Sequence, residues 1–321
     1  MHPRTPLIST AIKTFKIAIG LASSVFTIQG IFIGAPASAS QATTSRILIV
    51  VAGQSNASGW ESYATDPNTG TNFLTAPFAN GADANSLITW MPWGVKQGAG
   101  ATPVPLDTPQ PKSQQRAIFG PEIGFARRVW NHRSVPVIVV KCASPGSSLA
   151  VNWNPESQAK KTPDILFALT VKKVKAVIAA DAANGQNDIL GGFVWFQGES
   201  DAKVPVYAAA YQANLTNFIA RIRSALPFAP SAPFGIIKED STGYINYRES
   251  RHASPALIAA MRLGNSQVRA ADDVVAANVA NVVEVDSAGL ARNGHSQIHL
   301  TNRSQLSVGA AMARAMEDMI P

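Results

Sequence analysis

Ile47-Leu48-Ile49-Val50-Val51 runs through Ala52 into Gly53-Gln54-Ser55-Asn56. An apolar run that short, rich in β-branched residues and closed by glycine, reads as a strand buried on both faces. Such strands belong to parallel sheets covered by helices. The rest of the chain keeps the same rhythm. Strand-like runs fall at 46–52, 136–142, 190–196, 233–238 and 281–285, and helix-like segments at 122–132, 163–183, 206–225, 255–276 and 304–319. Between 163 and 183, Ile165, Leu166, Leu169, Val177 and Ile178 recur at helical spacing, and Lys172, Lys173 and Lys175 read as a solvated face. Alternation of this kind predicts a mostly parallel sheet with helices on both sides.

One stretch breaks the rhythm. About residues 60–118 are rich in Gly, Pro, Asn and Thr, with one strand-like island at 87–90. Long irregular segments inside a domain are usually functional or disordered. This one leaves the sheet beside Ser55, where it can wall a cleft. It holds Trp60, Trp90 and Trp93, and Trp153 follows a later strand. Their faces suit sugar rings by apolar contact, and each taken singly also reads as loop packing.

The first residues read as a targeting segment. Arg4, Lys13 and Lys16 precede an apolar stretch over 17–33, and Ala37-Ser38-Ala39 is a small-residue cleavage pattern. A secretory signal peptide over 1–39, cut after Ala39, is expected, with one domain over 40–321. The alternative is an uncleaved anchor, which Gln29 and the interspersed serines and glycines disfavour. Removing 1–39 takes three positive charges from the formal +7 and leaves 24 Lys+Arg against 20 Asp+Glu, or +4. That excess is too dilute to argue for nucleic acid, and no stable membrane insertion is expected after cleavage. Cys142 is the only cysteine, so no disulfide forms within the chain. Its position behind an apolar run gives it a small buried role.

Serine becomes a nucleophile only with a base for its proton and donors for the developing charge. Ser55 sits on a turn at the C-terminal end of a strand, where open α/β sheets bind ligands. It also reads as a turn serine in an anion-binding loop, although no Walker or dinucleotide glycine pattern follows. His299 lies before a helix and can reach the same sheet edge, with His295 its competitor as the base. His132 reads as surface at a helix end, and His252 has no supporting context. Glu199 can hold an imidazole, or pair with an arginine or a helix terminus. Asp201 reads as a cap of the next helix. Gln197 offers a side-chain amide, and Gly146 a backbone N–H, to an oxyanion.

Taken in order, Gly53-Gln54-Ser55-Asn56, Phe119-Gly120-Pro121-Glu122-Ile123-Gly124-Phe125-Ala126, Pro145-Gly146-Ser147-Ser148-Leu149 with Trp153, Trp195 to Asp201, and Ile298-His299-Leu300-Thr301 resemble the sialate O-acetylesterase domain family. This family lies within the SGNH hydrolases and includes the acetylxylan esterases of carbohydrate esterase family six. The resemblance implies a three-layer α/β/α sandwich with a five-stranded parallel sheet (flavodoxin-like) and a serine esterase with no metal and no cofactor. It implies Ser55 as nucleophile and His299 as base, with oxyanion donors from the Ser55 and Gly146 N–H groups and the Gln197 side chain. It suggests that Gln54, Asn56 and Trp153 meet substrate. The wider superfamily has Asn where Gln197 stands. The family usually has Asp three residues before the histidine, and here that residue is Ser296. Glu199, in the Gln197-Gly198-Glu199-Ser200-Asp201 block, is therefore expected to complete a Ser55–His299–Glu199 triad.

The expected activity is removal of acetyl groups from carbohydrate by an exported protein, the substrate being acetylxylan, a related polysaccharide or O-acetyl sialic acid. Two other readings stay open at this stage. One is an esterase of the same fold acting on lipid or aryl esters. The other is a carbohydrate-binding protein on an inactive hydrolase fold.

Overall fold

The structure, a computed structural model, describes residues 45–91, 102–113, 116–156, 166–227, 231–294 and 297–321, all within one unit, Thr43–Pro321. The expected signal peptide, Trp93, His295 and Ser296 lie outside the described residues. The strands are β1 (Arg46–Gly53), β2 (Leu87–Trp90), β3 (Val104–Pro105), β4 (Gln110–Ser113), β5 (Arg116–Ile118), β6 (Val137–Ala143), β7 (Asp188–Phe196), β8 (Phe234–Lys238) and β9 (Val282–Asp286). The helices are α1 (Ser55–Ser58), α2 (Gly81–Asn85), α3 (Pro121–Arg133), α4 (Leu166–Ala183), α5 (Pro205–Ala225), α6 (Thr242–Ser250), α7 (Pro255–Asn278) and α8 (Asn302–Met316).

Seven strands form the main sheet in the order β3-β2-β6-β1-β7-β8-β9. All neighbours run parallel except β3, which pairs antiparallel with β2. The expected five-stranded sheet is therefore corrected: β2 adds a sixth parallel strand and β3 an antiparallel edge. The residues of β2 were visible as a strand-like island, but four residues among turn formers carry little periodicity. The long segment after Trp60 likewise holds α2 and four short strands, so it is built rather than irregular.

Side chains of β1 alternate between two cores, as the period of two requires. Leu48, Val50 and Ala52 face a core completed by Val174 of α4, Phe218 of α5 and Val268 of α7. Ile47, Ile49 and Val51 face the other, completed by Ile123 of α3 and Met312 of α8. The result is the expected three-layer α/β/α sandwich. Cys142 is buried in the first core, and burial pushes its thiol up to about 12, the inert role expected of it. No helix among the described residues is long and apolar enough to cross a membrane.

β1 lies at the centre, and the strand order reverses beside it, the point where open α/β sheets place a crevice at their C-terminal strand ends. A charged pair is buried under this rim. Lys141 Nζ donates to Glu122 Oε1 at 2.9 Å, Gln110 Oε1 at 2.8 Å and Ser58 O at 2.9 Å. Burial pulls the ammonium below its ordinary range, and the Glu122 charge opposes that pull. One lysine thus ties α1, β4 and α3 together, and explains the Gly120-Pro121-Glu122 block.

α8 follows directly on the histidine segment and packs across α3 with almost no space between backbones. A Cβ on Gly309 would lie 1.9 Å from Pro121 O, and one on Gly124 would lie 2.1 Å from Leu306 O. Gly309→Ala is expected to lower stability by about 1–3 kcal/mol through overpacking. Urea unfolding checks this, with the midpoint falling and the slope unchanged.

Candidate active site

The turn after β1 exists because Gly53 permits it. Gly53 has φ +138°, and a Cβ there would lie 2.1 Å from Phe196 O. Gln54 N donates to that same carbonyl at 3.0 Å, so the ends of β1 and β7 close on each other. The chain then makes the single turn of α1, ended by Gly59 at φ +79°. Ser55 opens this turn and is 6% exposed. Beside it, Ser144 N donates to Gly53 O at 2.9 Å, bringing the turn after β6 to the same rim. Gly146 caps that turn with φ +73° and faces open space.

Asn56 is the joint of the site. Its Nδ2 donates to Glu199 Oε1 at 2.7 Å and to Ile298 O at 3.1 Å. Its Oδ1 accepts from Leu300 N at 3.0 Å, and its carbonyl accepts from Gln305 Nε2 at 2.9 Å. The residue after Ser55 therefore grips both neighbours of His299. Asn293 grips the far side: its N–H donates to His299 O at 2.8 Å, and its side chain to Glu61 O and Leu300 O at 3.0 Å each. The Ser62 hydroxyl adds a 2.7 Å bond to Leu300 O.

The partner of the imidazole differs from the expected one. His299 Nδ1 lies 3.0 Å from Glu61 Oε2. Glu199 instead gives one carboxylate oxygen to Asn56, and its Oε2 is buried with no hydrogen-bond partner among the described residues. Asn56 reaches Glu199 first because it stands between Glu199 and the histidine segment, bonded to both. Sequence offered no signal for Glu61, whose contact spans 238 positions.

Other expected site residues belong to the scaffold. Gln197 is fully buried, its Nε2 donating to Asp201 Oδ2 at 2.7 Å and lying 3.1 Å from both Gln54 Oε1 and Ser147 O. Its Oε1 accepts from Tyr211 at 3.1 Å, so its amide is taken up on both ends rather than turned to an oxyanion. Gln54 accepts from Gln197 and from Ser200 N, which turns it inward too. Asn56 is buried with every amide atom used. Trp153 packs edge-on against Trp195 at 5.1 Å and donates to Ser147 Oγ, inside the core rather than against substrate. Asp201 does not cap α5; its carboxylate accepts from Leu149 N and Ala150 N and so shapes the turn that carries Gly146. His132 pairs with Glu317 at 2.5 Å, far along α3, as a surface role implies.

Glu239, at the end of β8, was not singled out from sequence. It is buried beside Glu199 and accepts from Ser241 Oγ at 2.8 Å. Burial, reinforced by the Glu199 charge, pushes its carboxyl up to about 8.

With the geometry in view, the class is that of hydrolases built on an open α/β sheet, with a serine at the central strand end and a histidine on the last loop. A profile of the family described as "Carbohydrate esterase, sialic acid-specific acetylesterase" matches residues 45–318. The chain belongs to that family and is a carboxylic ester hydrolase. Similar solved structures include a protein of Arabidopsis thaliana, 20% identical with TM-score 0.57, covering 87% of this chain and 100% of that one. NanS is 14% identical with TM-score 0.58, covering 86% and 98%. A carbohydrate acetylesterase from Xanthomonas citri is 17% identical with TM-score 0.57, covering 85% of this chain and 56% of that one. At these identities the likeness shows the fold. Comparison with curated protein sequences finds no match.

Two outcomes are expected from this geometry. Asn56→Ala strips partners from a buried carboxylate and from Leu300 N, and should lower stability by about 1–3 kcal/mol. Acetyl-ester turnover should fall with it, which denaturation and rate measurements on the same sample check. Glu239 holds its proton more tightly folded than unfolded, where 4.5 is ordinary. Its contribution to stability is therefore full below the unfolded value and lost as pH rises through the folded one. The urea midpoint of wild type should decline between about pH 5 and pH 8, and Glu239→Gln, which stays neutral, should flatten that decline.

Proposed function

We propose that the protein is an exported serine esterase that removes acetyl groups from carbohydrate through an acyl-enzyme on Ser55. The observation that carries this reading is the grip of Asn56 on both neighbours of His299 from the position next to Ser55. Family membership supplies the ester chemistry. The basic, apolar and small-residue order of the first 39 residues supports export.

In the proposed first step, Ser55 Oγ attacks the acetyl carbonyl carbon while His299 takes the hydroxyl proton. The carbonyl electron pair moves to oxygen, and the Ser55 and Gly146 N–H groups receive the oxyanion. Gln197, whose amide is occupied, acts here by holding Gln54 and Asp201. Collapse breaks the bond to the sugar oxygen, which takes the proton from His299 and leaves as an alcohol. Water then attacks the acetyl-serine, giving its proton to His299. The second collapse frees acetate and returns that proton to Ser55. A small acyl group asks for a tight acyl side and an open leaving-group side. The half-buried Trp60 and Trp90, on the segment beside the crevice, suit the sugar side.

Ser55→Ala should abolish labelling by a fluorophosphonate probe and lower acetate release about a thousandfold or more. Among p-nitrophenyl esters, acetate should exceed octanoate by about tenfold or more in kcat/KM. A folded wild type that neither labels nor releases acetate from acetylated xylan or O-acetyl sialic acid would overturn the reading.

A further inference from the structure

An imidazole that serves as base must be held in one tautomer, and its cation must be stabilised. The usual acid position is Ser296 in this chain, and the Glu199 carboxylate is bound to Asn56. The carboxylate at the ring is Glu61, with Oε2 3.0 Å from Nδ1.

Glu61 is held where it is. Its φ is +68°, a conformation that non-glycine residues adopt only where their surroundings impose it. Its carbonyl accepts from Asn293 Nδ2, the same group that donates to Leu300 O beside the imidazole. The next residue, Ser62, also bonds Leu300 O. Carboxylate and ring are thus clamped through shared partners, not joined by chance across a surface. Gln297 at φ +56°, two residues before the ring, places a second left-handed turn on the other strand of the clamp.

We propose that Glu61 is the positioning residue of this esterase: its carboxylate accepts the Nδ1–H of His299, turns the Nε2 lone pair toward the nucleophile, and stabilises the imidazolium formed when the serine proton is taken. This inference rests on the acyl-enzyme reading and replaces Glu199 in it. Glu199 keeps a different task, holding Asn56 and through it the histidine segment. Among the described residues, other charged groups near this segment are Arg292, whose Nη1 donates to Ile298 O at 3.0 Å, Asp240, 3.8 Å from Arg292, and the buried pair Glu199 and Glu239. None of these is bonded to Nδ1. The Glu61 side chain is 28% exposed and that of His299 14%. Solvent therefore screens the pair, and its loss should be milder than loss of a fully buried acid.

The test compares wild type, Glu61→Gln, Glu61→Asp and Ser55→Ala. The His299 ring is titrated by proton–nitrogen NMR, and p-nitrophenyl acetate hydrolysis is followed against pH. Glu61→Gln should lower kcat about tenfold to three-hundredfold with KM within about twofold of wild type. Losing the neighbouring anion should also move the His299 titration, and the acid limb of kcat/KM, to lower pH. Glu61→Asp should recover part of both. A His299 titration unmoved in a folded Glu61→Gln overturns the proposal, even if activity falls, because the effect is then structural. A fully active Ser55→Ala overturns the acyl-enzyme reading and the proposal with it. The two failures are told apart because in the second the His299 titration still responds to Glu61.

Discussion

One buried side-chain amide holds the site together. Asn56 has two donor hydrogens and one acceptor oxygen, and it distributes them over Glu199, Ile298 and Leu300. These residues come from the ends of β1 and β7 and from the loop after β9. Aspartate lacks the hydrogens, leucine lacks both functions, and glutamine carries the same amide one methylene further out. The requirement is strict because the group is 1% exposed, so water cannot replace a lost partner. The Ser55 turn and the histidine segment are thus located by one hydrogen-bonded unit rather than by separate loops.

Much of the fold was legible because burial writes itself into sequence. The runs that became β1, β6, β7 and β8 are mainly apolar on both faces, β9 at the edge carries Glu284 and Asp286, and the helices show the wider period. β2 showed only as a strand-like island and β3 escaped, because strands of four and two residues have little or no period to display. The site was legible in a narrower way. Motifs marked Ser55, His299 and the Gln197–Asp201 block as unusual, but a polar residue in a motif announces only that it needs a partner. Whether that partner is substrate or protein depends on burial. Gln54, Asn56, Gln197 and Trp153 all proved to be satisfied inward. Glu61 left no trace, since its role follows from a left-handed turn and a contact across 238 positions.

The acids of the rim fall into two environments. Glu199, Glu239, Asp201 and Asp272 are buried, and desolvation raises the carboxyls of Glu239, Asp201 and Asp272. Glu199, Glu239 and Asp201 accept from Asn56, Ser241 and Gln197, and so serve the scaffold. Glu61 is partly solvated and within bonding distance of the ring. Structural and chemical work are thus divided between carboxylates by their access to water.

The Lys141 ammonium links three separate stretches through Ser58 O, Gln110 Oε1 and Glu122 Oε1. The segment after Trp60, expected to wall one side of the site, therefore does not end at its own loop tips. It contributes an oxygen to a cation that also fixes Ser58, the last residue of the turn that carries Ser55. Exchanging this wall for another, by divergence or by grafting, must preserve an acceptor where Gln110 stands. Without one, a cation sealed from water would be short of a ligand, and the disturbance would travel to the turn that carries Ser55. The long segment and the Ser55 turn share a keystone, and the boundary for a transplant lies beyond Gln110.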